Sequence, residues 1–257
     1  MYKIISSILF TTTVGFFFLL IFGSSTVNAN HSWGNYHWAR TGNPFNLRLG
    51  DNVSLAWDSY LNTSSSDWSI SSVLDTSIVA GGTNARRCRP TNGRVEVCNY
   101  RYGRNGWLGL AQIWVNNGHI YQGVVKANDT YFNTSTYNTS AWKNLVMCQE
   151  IGHTLGLDHQ DEIFENPPLG TCMDYSSDPV PNQHPNQHDY DQLDLIYSHL
   201  DSLTTAKSTL RRAFALGEFP NRSDWGKLLK DNGRIALFER DFGGGHKLFT
   251  YIIWDQK

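Results

Sequence analysis

One helix with a defined start and a defined end constrains this chain more than any other feature of its sequence. The Asn-Thr-Ser stretch at 138–140 supplies capping side chains, and the residues after it predict a helix from Ala141 to about Leu155. Gly156 follows and can adopt the left-handed backbone conformation that ends a helix. The chain can therefore turn sharply here, and residues beyond the turn can face the end of the helix.

Four polar side chains around this turn have the spacing of a metal site. Gln149 and His153 are four residues apart and project from one helix face, with Glu150 beside the first of them. His159 follows the turn and can return toward His153. Three ligands and one water form a catalytic zinc site, in which a glutamate accepts the proton of the water. We therefore expect one catalytic Zn²⁺ held by Gln149, His153 and His159, with Glu150 as general base.

The longer motif resembles that of the metzincin zinc metalloproteases, which carry His-Glu-x-x-His-x-x-Gly-x-x-His and a downstream Met-turn. The matching positions are Glu150, His153, Gly156 and His159. The segment Thr171-Cys172-Met173-Asp174-Tyr175 resembles the Met-turn, and the whole string is similar to a matrixin-like group of exported proteins that share the glutamine. The resemblance covers about residues 105 to 200.

The resemblance implies a fold and an activity. The fold is an α+β, zincin-like catalytic domain, in which a twisted mixed sheet packs on two main helices and an edge strand lies over the active-site helix. The activity is that of a secreted metalloendopeptidase, a hydrolase whose protein or peptide substrate pairs in extended form with the edge strand. Met173 would form an apolar floor under the metal, and Tyr175 would help to stabilise the oxyanion.

Gln149 stands where the family has histidine, and two alternatives follow. An amide oxygen is a weaker donor than imidazole and is not among the usual zinc ligands. In the first alternative Gln149 coordinates weakly and the site works. In the second the site binds metal poorly or recruits another ligand, such as His184 or His188, and the chain is a pseudo-protease that binds peptide, glycan or cell wall. The glutamate of the family motif is present as Glu150, and this favours the enzyme. A carboxylate beside a site that does not bind metal would have no obvious structural role.

The N-terminus predicts an exported protein. Residues 1–29 have the pattern of a signal peptide, with an apolar run from Ile4 to Phe22 and a cleavage site after Ala29. The alternative is a permanent membrane anchor, because the run is long enough to span a bilayer. We favour cleavage, after which no stable membrane association is expected.

The four cysteines of an exported chain are expected to be paired. Cys88 and Cys98 bracket a turn that would fold back on itself, and Cys148 with Cys172 would tie the metal helix to the Met-turn. Four cysteines allow three connectivities, so the other two pairings stay open.

The charge pattern excludes nucleic acid as a partner. The net charge is −2, and the basic residues are scattered rather than gathered in a stripe. We expect a monomer with a catalytic domain over residues 30–200. Residues 201–257 would be an extension packed on that domain, because so short a segment struggles to build a core of its own.

Local patterns predict further elements. They are a strand at 45–49, a helix at 66–78 starting near Asp67, a hairpin of strands 108–115 and 119–126, a helix opening at His188 or Asp189, a helix from Ala206 to Phe214, and a closing hairpin of strands 234–240 and 247–254.

Overall fold

The computed structural model describes residues 31–32, 34–206 and 218–255. The predicted signal peptide and nearly all of the helix predicted at 206–214 lie outside these residues. The elements, in chain order, are β1 (His37–Trp38), β2 (Phe45–Asn52), α1 (Asp58–Trp68), β3 (Leu74–Ala80), β4 (Arg94–Tyr100), β5 (Trp107–Asn116), β6 (His119–Asn128), α2 (Asp129–Phe132), α3 (Ser140–Thr154), α4 (Gln187–Ile196), a 3-10 turn (Arg222–Asp224), β7 (Lys227–Asp231), β8 (Ile235–Gly243) and β9 (His246–Trp254).

One mixed sheet organises the described residues. Its strands follow the order β3-β2-β4-β6-β5-β9-β8-β7, and the short β1 pairs with β6. Strands β3, β2, β4 and β6 are mutually parallel, whereas β5, β9, β8 and β7 join by antiparallel pairing. Helix α3 packs on β5 and β6, and α1 packs on α3. The arrangement agrees with the expected α+β class.

Both predicted hairpins are confirmed. β5 and β6 pair through a turn in which Asn117 and Gly118 have positive φ angles of 48° and 88°. Asparagine and glycine tolerate these angles best, so the Asn-Gly pair fixes the turn and its register. β8 and β9 pair through Gly243–Gly245, which also have positive φ angles.

The resemblance expects an edge strand in the hairpin that precedes α3, but neither strand of this hairpin is an edge, because β6 lies between β4 and β5. β5 pairs with β6 on one side and with β9 on the other, from Trp107↔Trp254 to Asn116↔His246. The C-terminal strands therefore continue the sheet at the place where the metzincin resemblance expects a substrate.

The helix predicted at 66–78 is wrong. Helix α1 ends at Trp68, and Leu74–Ala80 is strand β3, parallel to β2. Trp68 is buried, and its Nε1 donates to the carbonyl oxygen of Cys148 at 3.2 Å, which docks α1 on α3. Tertiary packing of this kind overrides the weak local propensity of a serine-rich segment.

Helix α4 begins earlier than predicted, at Gln187. The Asn186 side chain accepts from the backbone N of His188, while the Asp189 carboxylate accepts from the backbone N of Asn186 at 2.8 Å. This reciprocal capping makes Asn186 the N-cap.

No helix in the described ranges is long and apolar enough to cross a membrane.

Candidate metal site on helix α3

Helix α3 begins and ends as its sequence predicts. The Thr139 hydroxyl accepts from the backbone N of Trp142 at 3.2 Å and caps the helix. Gly156 has a φ of +100°, and a Cβ at this position would run into the carbonyl oxygen of Tyr36. The positive φ angle and the lack of room for a Cβ each require glycine at this position. Two independent constraints therefore fix the turn before His159.

The turn brings the two predicted histidine ligands together. The rings of His153 and His159 are buried, with centroids 4.6 Å apart. His153 Nδ1 lies 2.9 Å from the carbonyl oxygen of Leu157. Because a carbonyl oxygen only accepts, Nδ1 carries the hydrogen and Nε2 keeps its lone pair, as a metal ligand requires. Burial first, and the His159 ring second, hold the pKa of His153 well below its usual value, so this imidazole is neutral.

Gln149 and Glu150 are fully buried one turn before His153. Gln149 Nε2 donates to the carbonyl oxygen of Cys172 at 2.8 Å, which orients the amide and leaves its Oε1 as an acceptor. The Glu150 carboxyl group lies against Gly109 of β5, where a Cβ would run into it. Burial raises the pKa of Glu150 well above its usual range.

The side chains of this group carry buried acceptor atoms that no hydrogen-bond donor reaches in the described residues. Within the part of the chain that the structure describes, no hydrogen-bond partner reaches Gln149 Oε1, the Glu150 oxygens, His153 Nε2 or His159 Nε2. A buried polar atom without a partner costs about 1–3 kcal/mol, and native proteins rarely leave several together. Buried acceptors on one helix turn and the loop after it suit a cation. Two imidazoles and one amide oxygen fit zinc, with the amide as the weakest donor.

The predicted Met-turn residues lie around this group. Met173 is fully buried and packs on α3 at Gly152, where a Cβ would meet its sulfur atom. Tyr175 is also buried, and its ring centroid lies 6.3 Å from that of His159. The segment thus places an apolar side chain against the helix and an aromatic one beside the third predicted ligand.

The structure contains the disulfides Cys88–Cys98 and Cys148–Cys172, which resolves the three connectivities. The second joins α3 to the Met-turn, directly before Gln149 and Met173. The covalent link therefore holds together the two segments whose side chains form the candidate site.

The two alternative ligands have other partners. His184 Nδ1 lies 2.7 Å from Asp67 Oδ2, and more than half of the His184 side chain is exposed. His188 stacks on His31, with ring centroids 4.8 Å apart. These contacts give no support to either histidine as a substitute for Gln149.

Sequence reasoning missed two residues of the site. Tyr251 of β9 stacks on His153, and the Asp158 carboxylate lies 3.5 Å from His159 Nδ1. Burial acts to raise the pKa of Asp158, but the hydrogen bonds from His159 outweigh it and hold that pKa below its usual value. Adjacency to His159 is a sequence signal for Asp158, whereas no local signal connects Tyr251 with helix α3.

In comparisons with known proteins, no family model matches the chain and no curated protein matches its sequence.

Proposed function

We propose that this chain is an exported zinc metalloendopeptidase with a metzincin-like catalytic domain. The observation that carries the proposal is the group of buried acceptors Gln149 Oε1, His153 Nε2 and His159 Nε2, which have no donor among the described residues. Glu150 lies on the same helix turn, and a buried methionine and tyrosine follow in the metzincin order. These features support a metal-binding catalytic centre.

Each side chain has a proposed role. Gln149, His153 and His159 would hold zinc, which when bound supplies Lewis acidity and lowers the pKa of a water ligand to about 7. Glu150, between α3 and β5, takes a proton from the attacking water and passes it to the leaving amine. Tyr175 donates its hydroxyl hydrogen to the developing oxyanion.

Export is part of the proposal. The two disulfides are typical of a protein that matures in an oxidising compartment. We infer that residues 1–29 are a signal peptide removed on secretion, and a retained membrane anchor is the alternative.

The burial of the site favours a closed form of this enzyme. An extended peptide would add to β5 by main-chain pairing, but β9 already occupies that side of β5. Tyr251 also covers His153. We infer that β9 must move from β5 before a substrate binds.

The same burial supports a second candidate, a pseudo-protease in which β9 stays in place and the chain acts as an extracellular binding protein.

The test uses the mature chain, purified without a histidine tag and loaded with zinc. We expect hydrolysis of casein or quenched peptides that a chelator abolishes and that Glu150→Gln lowers by about 100-fold or more. One equivalent of zinc retained by the wild type and lost in His153→Ala would support the metal site. If this zinc is bound but both the wild type and Tyr251→Ala are inert, the binding-protein candidate replaces the enzyme. If His153→Ala retains all of the zinc, the metal site itself is wrong.

A further inference from the structure

A second cluster of histidines shares no residue with the α3 site. His37 lies in β1, His119 opens the neighbouring β6, and His199 and Asp201 follow helix α4. Asp201 Oδ1 lies 3.4 Å from His37 Nε2, 3.1 Å from His119 Nε2 and 3.7 Å from His199 Nε2. The Nε2 atoms of His37 and His199 are 3.2 Å apart. Three imidazoles thus direct the same nitrogen toward one carboxylate oxygen.

These separations are those of ligands around one small ion. Zinc with bonds of about 2.0–2.1 Å in a tetrahedron places its ligand atoms roughly 3.3–3.4 Å apart. The donor atoms of His37, His199 and Asp201 all lie within 4.8 Å of one another. His119 contacts Asp201 but lies outside this set of mutually close donor atoms. Two imidazoles and one carboxylate, with a water in the fourth position, are a donor set that suits zinc.

The hydrogen bonds around the cluster leave a place for a cation. His37 Nδ1 lies 2.9 Å from the carbonyl oxygen of Asn35, so this nitrogen carries the hydrogen. In the neutral ring the lone pair of Nε2 is then directed toward Asp201 Oδ1 and His199 Nε2, and an ion between these atoms would be in reach of all three.

A fixed outer layer holds the carboxylate in position. The backbone N and Nη1 of Arg40 donate to Asp201 Oδ2 at 3.1 and 3.0 Å. Arg40 is itself buried and also donates to the carbonyl oxygen of His199. These bonds turn Asp201 Oδ1 toward the histidines, as outer partners of metal ligands do. An ion can still enter from solvent, because 54% of the His199 side chain is exposed.

We propose that His37, His199 and Asp201 form a second zinc site whose role is structural. Its ligands come from β1 and from the segment after α4, so the ion joins two distant parts of the chain. The N-terminal segment also supports the turn after α3, because the backbone N of Asp158 donates to the carbonyl oxygen of His31 at 2.5 Å. The proposal does not depend on catalysis at the α3 site.

The test compares two exposed histidines in the full mature chain. His199→Ala removes a proposed ligand, and His184→Ala is the matched control, because their side chains are 54% and 55% exposed and each lies near an aspartate. Both are made in the His153→Ala background, which disables the α3 site. Metal-free protein is titrated with zinc alone, and melting temperature and bound zinc are measured.

Zinc at about a hundredfold excess over its Kd should raise the melting temperature of the background protein and of the His184→Ala variant by about 5–10 °C. His199→Ala and Asp201→Asn should lose this rise and one equivalent of bound zinc. Equal zinc content and an equal rise in His199→Ala and His184→Ala would overturn the proposal. The absence of any rise in the His153→Ala background would also overturn it.

Discussion

The ring of Tyr251 lies parallel to the ring of His153, with centroids 4.1 Å apart and 4° between their planes. Both residues are buried, one on the C-terminal strand β9 and the other on helix α3. The stack joins the last strand of the sheet to the helix that carries the candidate metal ligands. β9 therefore covers one of those ligands.

Replacing Tyr251 with alanine should increase peptide hydrolysis by about tenfold or more, if β9 closes an active site. The change removes the ring that covers His153, whereas Tyr251→Phe keeps the stack and should stay near the wild-type rate. Hydrolysis of a quenched peptide library by zinc-loaded protein measures the difference.

Leu248→Ala is the control for general destabilisation. Leu248 is also buried on β9 but packs in a separate cluster with Trp114 and Val124. Equal activation by Leu248→Ala would mean that loosening β9, rather than uncovering His153, causes the effect. Activity that survives Glu150→Gln in the Tyr251→Ala background would contradict the assigned base.

Gln149→His should bind zinc on the order of tenfold more tightly, a gain of about 1.4 kcal/mol. Imidazole is a stronger donor than an amide oxygen, and its second nitrogen can still donate to the carbonyl oxygen of Cys172 that now accepts from Gln149. Gln149→Leu, which keeps a similar volume without a donor atom, should lose one equivalent of zinc. Competition with a chromophoric chelator gives the affinities. Equal affinity in all three proteins would remove Gln149 from the ligand set.

The local parts of the fold could be predicted because their causes act over a few residues. The Thr139 cap, the Asn117-Gly118 turn and the break at Gly156 each depend on neighbouring side chains or backbone angles. The strand at Leu74–Ala80 could not be predicted in this way, because its pairing with β2 is a long-range contact. The run of β-branched and aromatic residues at 247–254 likewise indicates a strand, but not that it pairs with β5.

The same division holds for the two clusters of histidines. His153 and His159 lie in one short motif, so spacing alone brings them together. His37 and Asp201 are 164 residues apart, and only the pairing of β1 with β6 and the return of the chain after α4 bring them together. An isolated histidine in a sequence carries no sign of such a partner.

Gly156→Ala should destabilise the protein by about 2–5 kcal/mol. Alanine at a positive φ costs about 1–2 kcal/mol, and its Cβ would also run into the Tyr36 carbonyl oxygen, with overpacking of about 1–3 kcal/mol. Gly103→Ala is the matched control, because Gly103 has a φ of +93° with no atom near the added Cβ. Denaturant unfolding measures both variants. Equal losses would show that the backbone angle alone matters and that the approach to Tyr36 relaxes.

Asp189→Asn should remove a pH dependence of stability. Burial raises the pKa of Asp189 to about 6, although hydrogen bonds from the Thr171 hydroxyl and the Asn186 backbone oppose the rise. The folded state therefore keeps a proton that the unfolded state, with a pKa of about 3.9, releases. Stability from this group is fully present below about pH 4 and is lost as the pH rises through 6.

The stability advantage of Asp189→Asn over the wild type should grow by up to about 3 kcal/mol between pH 4 and pH 7. A contact with His31 also disfavours the ionised form of the Asp189 carboxyl group. Its Nδ1 donates to the carbonyl oxygen of Asp158, so Nε2 is an acceptor 3.5 Å from Asp189 Oδ1. A protonated carboxyl group or an asparagine amide can donate to that nitrogen, whereas a carboxylate cannot. Denaturant unfolding at several pH values, with a chelator present, measures the difference. A constant difference across this range would show that the Asp189 carboxyl group is ionised in the folded protein throughout.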